Sequence, residues 1–281
     1  MKISVVVTTY NRPQALRLVL NALLAQAHTP FEILIADDGS TEDTRQTIRQ
    51  LASYSDVPVR HLWQTDAGFR AAAARNLAVA AAQGELIVFL DGDCVPRPDF
   101  IAQHARLAQE GWFVAGSRVL LSPALTLEAE TQQWPIHGWG RWTWWRHALY
   151  GQTNRWTPLL NLPGQAWRRQ QAQHWQSART CNMSVWRHDL VAVNGFDESY
   201  QGWGHEDADL AVRLIRHGVH YKNGRFATTV LHLWHVENDR SQLPENIARL
   251  EAILKGKHTQ ASVGLGQYSP EVIEQAIQPT A

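Results

Sequence analysis

Three groups of carboxylates stand where an α/β chain would gather them. Asp37-Asp38 closes the apolar run 31–36, and Asp91-Gly92-Asp93 closes the run 86–90. Glu206-Asp207-Ala208-Asp209 opens a helical pattern much later in the chain. Buried strands that end in acids place negative charge at the sheet edge where open α/β proteins hold ligands. An anionic substrate is repelled there unless a cation accompanies it, so the pattern points to a divalent metal bridging a diphosphate to the protein. Asp93 is expected to take the metal, and Asp91 either the metal or a ribose. Gly92 between them permits a turn that aims both carboxylates at one point. Asp37 or Asp38 is expected to accept hydrogen bonds from a base N–H or ribose hydroxyls, and Thr9, Tyr10, Asn11 and Arg12 lie where the base or ribose would sit. The plainer reading makes the Asp37-Asp38 pair turn and capping groups.

The later cluster offers different chemistry. Free N–H groups at a helix N-terminus stand beside Glu206 and Asp207. A carboxylate there can take a proton from an attacking hydroxyl, and Asp207 is expected to be that base, with Glu206 holding the incoming group or exchanging roles with it. Both would otherwise be helix-cap acids, and Asp209 is expected to be structural. Arg75 and Asn76 are the polar residues of the alanine-rich stretch 71–82; Arg75 either neutralises a phosphate or holds Asp91. In Val230-Leu231-His232-Leu233-Trp234-His235, two imidazoles three apart face opposite ways on an extended chain, so a bend is needed for both to converge. His235, at the end of the run, is the better candidate metal ligand.

Those groups need a scaffold. Runs 3–7, 31–36, 59–62 and 86–90 read as buried strands, and helical spacing follows Pro13 and Ser40. The stretch 71–82 is alanine-rich enough to lie close on a sheet. Residues 181–186 read as a strand returning to the sheet, and 270–277 as a short helix. No Gly-x-Gly-x-x-Gly follows a strand and no Walker A lysine is present, which argues against a dinucleotide dehydrogenase or a P-loop ATPase.

The 281 residues suffice for one domain with a large insertion, and 44% hydrophobic with 19% charged residues marks a globular chain. A formal net charge of zero argues against bulk nucleic-acid binding. That average hides an asymmetry: residues 131–188 contain seven Arg and no acid, and nine of the 13 Trp fall between Trp134 and Trp186. Some of these rings must be core; the remainder suit stacking on sugars, and Arg beside Trp suits an anionic glycan or a lipid headgroup. Cys94 and Cys181 suggest a reduced compartment and make no zinc site by themselves. No run is long enough to span a bilayer. The expected location is cytoplasmic, with peripheral attachment at the inner face of the membrane left open.

The motifs Val6-Val7-Thr8-Thr9-Tyr10-Asn11-Arg12, Ala36-Asp37-Asp38-Gly39-Ser40, Ala74-Arg75-Asn76-Leu77-Ala78, Gly84-Glu85 and Asp91-Gly92-Asp93 together resemble inverting glycosyltransferases of family 2. Gly202-Trp203-Gly204-His205-Glu206-Asp207 is similar to the acceptor-side motif of β-1,4-galactosyltransferases and chondroitin polymerases, with His205 where those relatives often carry a second Gly. The resemblance implies a GT-A type α/β fold: a single mixed, mostly parallel sheet flanked by helices, with a Trp/Arg-rich acceptor-side insertion. It implies a nucleotide-sugar-binding half (1–120), an acceptor-binding and catalytic half (121–255) and a tail (256–281). It further implies a uracil contact at Asp37 or Asp38, Mn²⁺ or Mg²⁺ on Asp93 with a histidine matching His235, a base at Asp207 and acceptor binding at Glu206. The expected partners are a nucleotide-sugar, UDP-linked, and a bacterial surface glycan or lipid-linked acceptor. A sugar nucleotidyltransferase and a non-catalytic carbohydrate-binding protein are the alternatives; the first usually carries a Gly-rich phosphate loop near its N-terminus, which this chain lacks.

Overall fold

The structure is a computed structural model that describes residues 1–27, 31–162, 164 and 166–280. Four strands, β1 (Ile3–Thr9), β2 (Phe31–Asp37), β3 (Val59–Trp63) and β4 (Leu86–Asp91), lie parallel in the order β3-β2-β1-β4. Their continuous apolar runs are what strands covered on both faces require. The crossovers are α1 (Pro13–Leu24), started by Pro13, then α2 (Glu42–Ala52) and α3 (Ala71–Ala81). Ten of the eleven residues of α3 are buried, Arg75 and Asn76 among them, because methyl side chains let the helix settle directly on the sheet.

The chain continues through β5 (Cys94–Val95), α4 (Phe100–Leu107), β6 (Trp112–Ala115), β7 (Arg118–Leu120), α5 (Pro123–Gln132) and α6 (Arg141–Leu149). Next come β8 (Asn182–Trp186), α7 (Arg187–Ala192), α8 (Glu206–Arg216), β9 (His220–Asn223) and β10 (Val230–His232), then α9 (Leu243–Lys255), α10 (Pro270–Ala276) and β11 (Ile277–Gln278). As expected, β8 returns to the sheet, antiparallel beside β4, and the complete order is β11-β3-β2-β1-β4-β8-β6-β9. One apolar core lies between this sheet and α1, α2, α4 and α5; the other lies beneath α3, α7 and α8.

Two features depart from the expected single sheet. A second, three-stranded sheet, β5-β10-β7, forms beside the first. The tail adds β11 to the free edge of β3, and the Tyr268 hydroxyl reaches the Ala73 carbonyl at 3.1 Å. These strands are two or three residues long, too short to show a period in sequence.

The Trp-rich segment also divides differently from a surface of stacking platforms. Trp144 is buried, and Trp134, Trp139 and Trp186 pack against the first core. Trp139 stacks on His147 at 4.9 Å. Arg168 is fully buried and donates to the carbonyls of Leu162, Gly164, Asn223 and Arg225, so it fastens loops rather than meeting an anion. Pro163 and Gln165 of this segment lie outside the described residues.

Candidate active site

Sheet register gathers the first two acid groups. In its two pairings, β1 sets Thr9 opposite Asp37 and Thr8 opposite Asp91, so the acidic ends of β2 and β4 flank the end of β1. Gly92 suits this crowded turn, since a Cβ would stand 3.0 Å from the Thr8 carbonyl and 3.1 Å from Thr9 Oγ1. A cavity of about 510 Å³ opens at this edge, bordered by Asp38, Arg75, Asp93, Arg179, Trp203 and Asp207 among others. That volume suits a small-molecule ligand.

At one end the Asp37-Asp38 pair splits. Asp37 Oδ1 accepts from the Ser40 N–H at 2.8 Å, and Oδ2 lies 2.7 Å from His61 Nε2, with both side chains shut away from solvent. Asp37 therefore shapes the turn and does not line the cavity, which leaves Asp38 as the member of the pair that borders it. Asp38 does line it, while accepting from Gln64 Nε2 and the Arg70 N–H, and burial raises its pKa. Thr9, Tyr10 and Arg12 also face the cavity. Asn11 does not; it sits at φ 48°, and its side-chain oxygen accepts from the Thr41 N–H, so it fixes the loop and borders a neighbouring groove.

The metal candidates converge on Asp93. His232 Nε2 stands 3.6 Å from its Oδ1 and His235 Nε2 3.5 Å from its Oδ2, with the two rings 5.3 Å apart. The required bend is present: β10 ends at His232, the Leu233 N–H donates to the Asp93 carbonyl, and the Trp234 N–H donates to Thr126 Oγ1. The His235 Nδ1–H donates to the Val236 carbonyl at 2.7 Å, which orients Nε2 toward the Asp93 carboxylate. Neighbouring ligand atoms held at about 2.1 Å from one divalent ion stand about 3 Å or slightly more apart; among the described residues Asp93, Cys94 and His232 each offer a ligand atom within 4.8 Å of the others, while His235 faces the second oxygen of Asp93. Burial, foremost, lowers the pKa of His232 and favours its neutral ligand form. Arg12 donates to Asp93 at 3.0 Å and to Glu130 at 2.8 Å.

Arg75 joins the two halves of the cavity. From α3 it donates to Thr8 Oγ1, to Asp91 at 3.1 Å and to Glu206 at 3.0 Å. Paired with two acids, it acts as their tether rather than as a free phosphate contact. Burial raises the Asp91 pKa and the Asp93 charge adds to this, while Arg75 opposes both.

Asp207 lies in the first turn of α8, with Oδ1 accepting from the Ala208 N–H. Burial, then the adjacent Glu206 charge, pushes its pKa up to about 7, against Arg179 and Arg75. A carboxylate so tuned holds a proton far better than an ordinary one near neutral pH. His205 precedes the helix at φ 74°, the left-handed region that explains a glycine at this place in similar motifs. Asp209 is buried against Arg213 at 2.5 Å and does not line the cavity.

Several lining residues carried no distinct sequence signal. Arg118 and Arg179 border the cavity, and among the described residues neither has a carboxylate within 4.0 Å. Among the described residues of the Trp-rich segment only Arg179, Thr180 and Cys181 reach the cavity; its exposed aromatic rings are Tyr10, Phe69 and Trp203, the last belonging to the motif around Asp207. The clue to Arg179 was the acid-free stretch, whereas Arg118 stood in no pattern.

A family model described as glycosyl transferase family 2 matches residues 4–174, and one described as the N-terminal domain of galactosyltransferase matches residues 168–236. The chain is 31% identical over 233 residues to validoxylamine A glucosyltransferase of Streptomyces hygroscopicus subsp. limoneus, covering 77% of this chain and 48% of that protein. It is 30% identical over 240 residues to hyaluronan synthase of Pasteurella multocida, covering 78% of this chain and 23% of that protein. The chain thus spans half or less of the length of these curated relatives. Among solved structures, S. aureus TarS 1-349 in complex with UDP superposes with a TM-score of 0.61 at 17% identity, over 95% of this chain and 68% of that one. The mannosyltransferase PcManGT from Pyrobaculum calidifontis, in complex with GDP-Man and Mn²⁺, gives 0.60 at 17% identity, over 98% and 72%. These two likenesses are of fold, the GT-A fold.

Proposed function

The chain belongs to glycosyl transferase family 2, and on that premise we propose that it transfers a sugar from a UDP-linked donor to a hydroxyl of a bacterial surface glycan or lipid-linked acceptor, with inversion. The observation that carries this reading is the placement of Asp93, with its two imidazoles, and Asp207 on one cavity, with Arg75 bridging their neighbours Asp91 and Glu206.

Asp38, Thr9 and Tyr10 bind the base and ribose at the end of β1 and β2. Asp93, His235 and His232, with Asp91 beside them, would hold Mn²⁺ or Mg²⁺, which supplies positive charge for the departing diphosphate. Asp207 accepts the proton of the acceptor hydroxyl. The hydroxyl oxygen then bonds to the anomeric carbon as the carbon–oxygen bond to the diphosphate breaks on the opposite face. Glu206, steadied by Arg75, and Trp203 position the acceptor. Arg118 and Arg179 are the lining guanidiniums left for an incoming anionic group. A lipid-linked acceptor would put the site of action at the inner face of the cytoplasmic membrane, and no described helix is long and apolar enough to cross it.

The test is a panel of UDP-sugars with and without Mn²⁺, followed by release of UDP. Metal-dependent hydrolysis to UDP and free sugar, lost in Asp207→Asn while UDP binding persists, supports the transferase. Sugar binding without nucleotide binding would replace it with a carbohydrate-binding protein, and formation of UDP-sugar from a sugar phosphate and UTP with a nucleotidyltransferase.

A further inference from the structure

Helix α6 is apolar on two faces, yet only one is covered. Trp144 is buried, and His147 on the same side stacks on Trp139. The opposite side carries Trp142, 69% exposed, Trp145, 39% exposed, and Leu149, 65% exposed, with Tyr150, 75% exposed, at the helix end. Positions 142, 145, 146 and 149 follow helical spacing and form one stripe. A helix apolar all round belongs in a core or against lipid, and a water-facing stripe of two Trp, a Leu and a neighbouring Tyr needs a cover.

Charge selects the cover. Arg141 and Arg146 are exposed on α6, and among the described residues neither pairs with a carboxylate. No acid occurs anywhere in residues 131–188, although the whole chain is formally neutral. Trp and Tyr prefer the depth of lipid headgroups, and Arg spans that layer with its stem in the apolar zone and its guanidinium on phosphate. At nine residues, roughly 13 Å, α6 is far too short to cross a bilayer.

We infer that α6 docks this protein on an anionic bilayer, with Trp142, Trp145 and Leu149 inserted at the interface and Arg141 and Arg146 on the headgroups. This deepens the reading of a lipid-linked acceptor at the membrane and rests on it for its purpose. The inserted stripe is not part of the cavity lining, so docking and chemistry separate experimentally.

The experiment is co-sedimentation of the full chain with vesicles of phosphatidylcholine alone and of phosphatidylcholine with added phosphatidylglycerol. The protein is expected to pellet with the anionic vesicles and to be released in part by salt. The triple variant Trp142→Gln, Trp145→Gln, Leu149→Gln is expected to lower the vesicle partition coefficient by about tenfold or more. The double variant Arg141→Gln, Arg146→Gln is expected to lose the preference for phosphatidylglycerol and the salt response. Both variants should keep the far-ultraviolet circular dichroism and the urea-unfolding midpoint of the parent, and its hydrolysis of UDP-sugar without vesicles. Failure to pellet, or equal pelleting of parent and folded triple variant, overturns the inference. So does a dimer in sedimentation velocity that the triple variant dissolves, because a second copy would then cover the stripe. Absence of UDP-sugar turnover in the parent would count against the transferase reading alone.

Discussion

The guanidinium of Arg75 meets the carboxylate of Glu206 at 3.0 Å, across 131 positions of sequence. A second N–H of the same group holds Asp91, so the end of β4 and the start of α8 share one buried cation. Arg75→Ala removes that cation and leaves two acids facing each other at the cavity. The expected result is a stability loss of about 3 kcal/mol in urea unfolding, together with loss of turnover. Arg75→Lys should recover part of the stability and little activity, because one ammonium cannot reproduce the fork. Equal activity in Arg75→Lys and parent would remove the tether from the mechanism.

Asp207 sets a pH dependence in both rate and stability. Its pKa is pushed up to about 7, so the basic form disappears as pH falls through that value. The rate of transfer should drop about tenfold per pH unit below the inflection, and Asp207→Asn should lower kcat by about 10²–10⁴ with the Kd for UDP unchanged. Stability carries the opposite mark. Between about pH 4 and 7 the folded state binds a proton that the unfolded state has released, so parent stability falls as pH rises through that window. Asp207→Asn lacks this penalty and should unfold at a higher temperature than the parent at pH 8, with the gap closing as the pH is lowered to 4. A pH–rate profile without an inflection near neutrality would exclude Asp207 as the base.

The two imidazoles on Asp93 make separate statements about the ion. Asp93→Asn, His232→Ala and His235→Ala should each weaken Mn²⁺ binding by about tenfold or more in calorimetry, and chelator should abolish turnover until metal is restored. An unaltered Mn²⁺ affinity in His235→Ala, with a loss in His232→Ala, would move the ligand role to His232 alone.

The neighbouring aspartates should separate cleanly. Asp37→Asn breaks a fully buried pairing with His61 and should destabilise the fold by about 2–3 kcal/mol. Asp38→Asn keeps the turn and should act on the KM for the donor. The readouts are urea unfolding and UDP affinity, and a reversed pattern would return Asp37 to the nucleotide.

His205 holds a left-handed backbone, φ 74°, that disfavours any side chain. His205→Gly should gain about 1 kcal/mol in unfolding free energy, whereas His205→Ala should not. A gain in both variants would locate the strain in the imidazole contacts rather than in the backbone.

The sequence disclosed whatever a periodic pattern or a chain terminus could encode. Asp38 and Asp93 stand out because each ends a strand or its turn at the same sheet edge, and Asp207 because it opens a helix. The split between Asp37 and Asp38 was hidden, since adjacent acids look alike until His61 is folded against one of them. The meeting of His232 and His235 was hidden because it depends on two backbone bonds, to Asp93 and Thr126, that bend the chain after β10. Arg118 came from a three-residue strand with no pattern of its own, and β11 from two residues whose pairing partner lies more than 200 positions away.

The amide of Leu233 donates to the carbonyl of Asp93 itself, so the backbone that presents one imidazole is stitched to the backbone that presents the carboxylate. The two segments rise or fall as one piece. Slow deuterium uptake at that amide would report an intact ion cradle, and any treatment that frays β10 from β5 would silence the chemistry before the eight-stranded sheet has begun to melt.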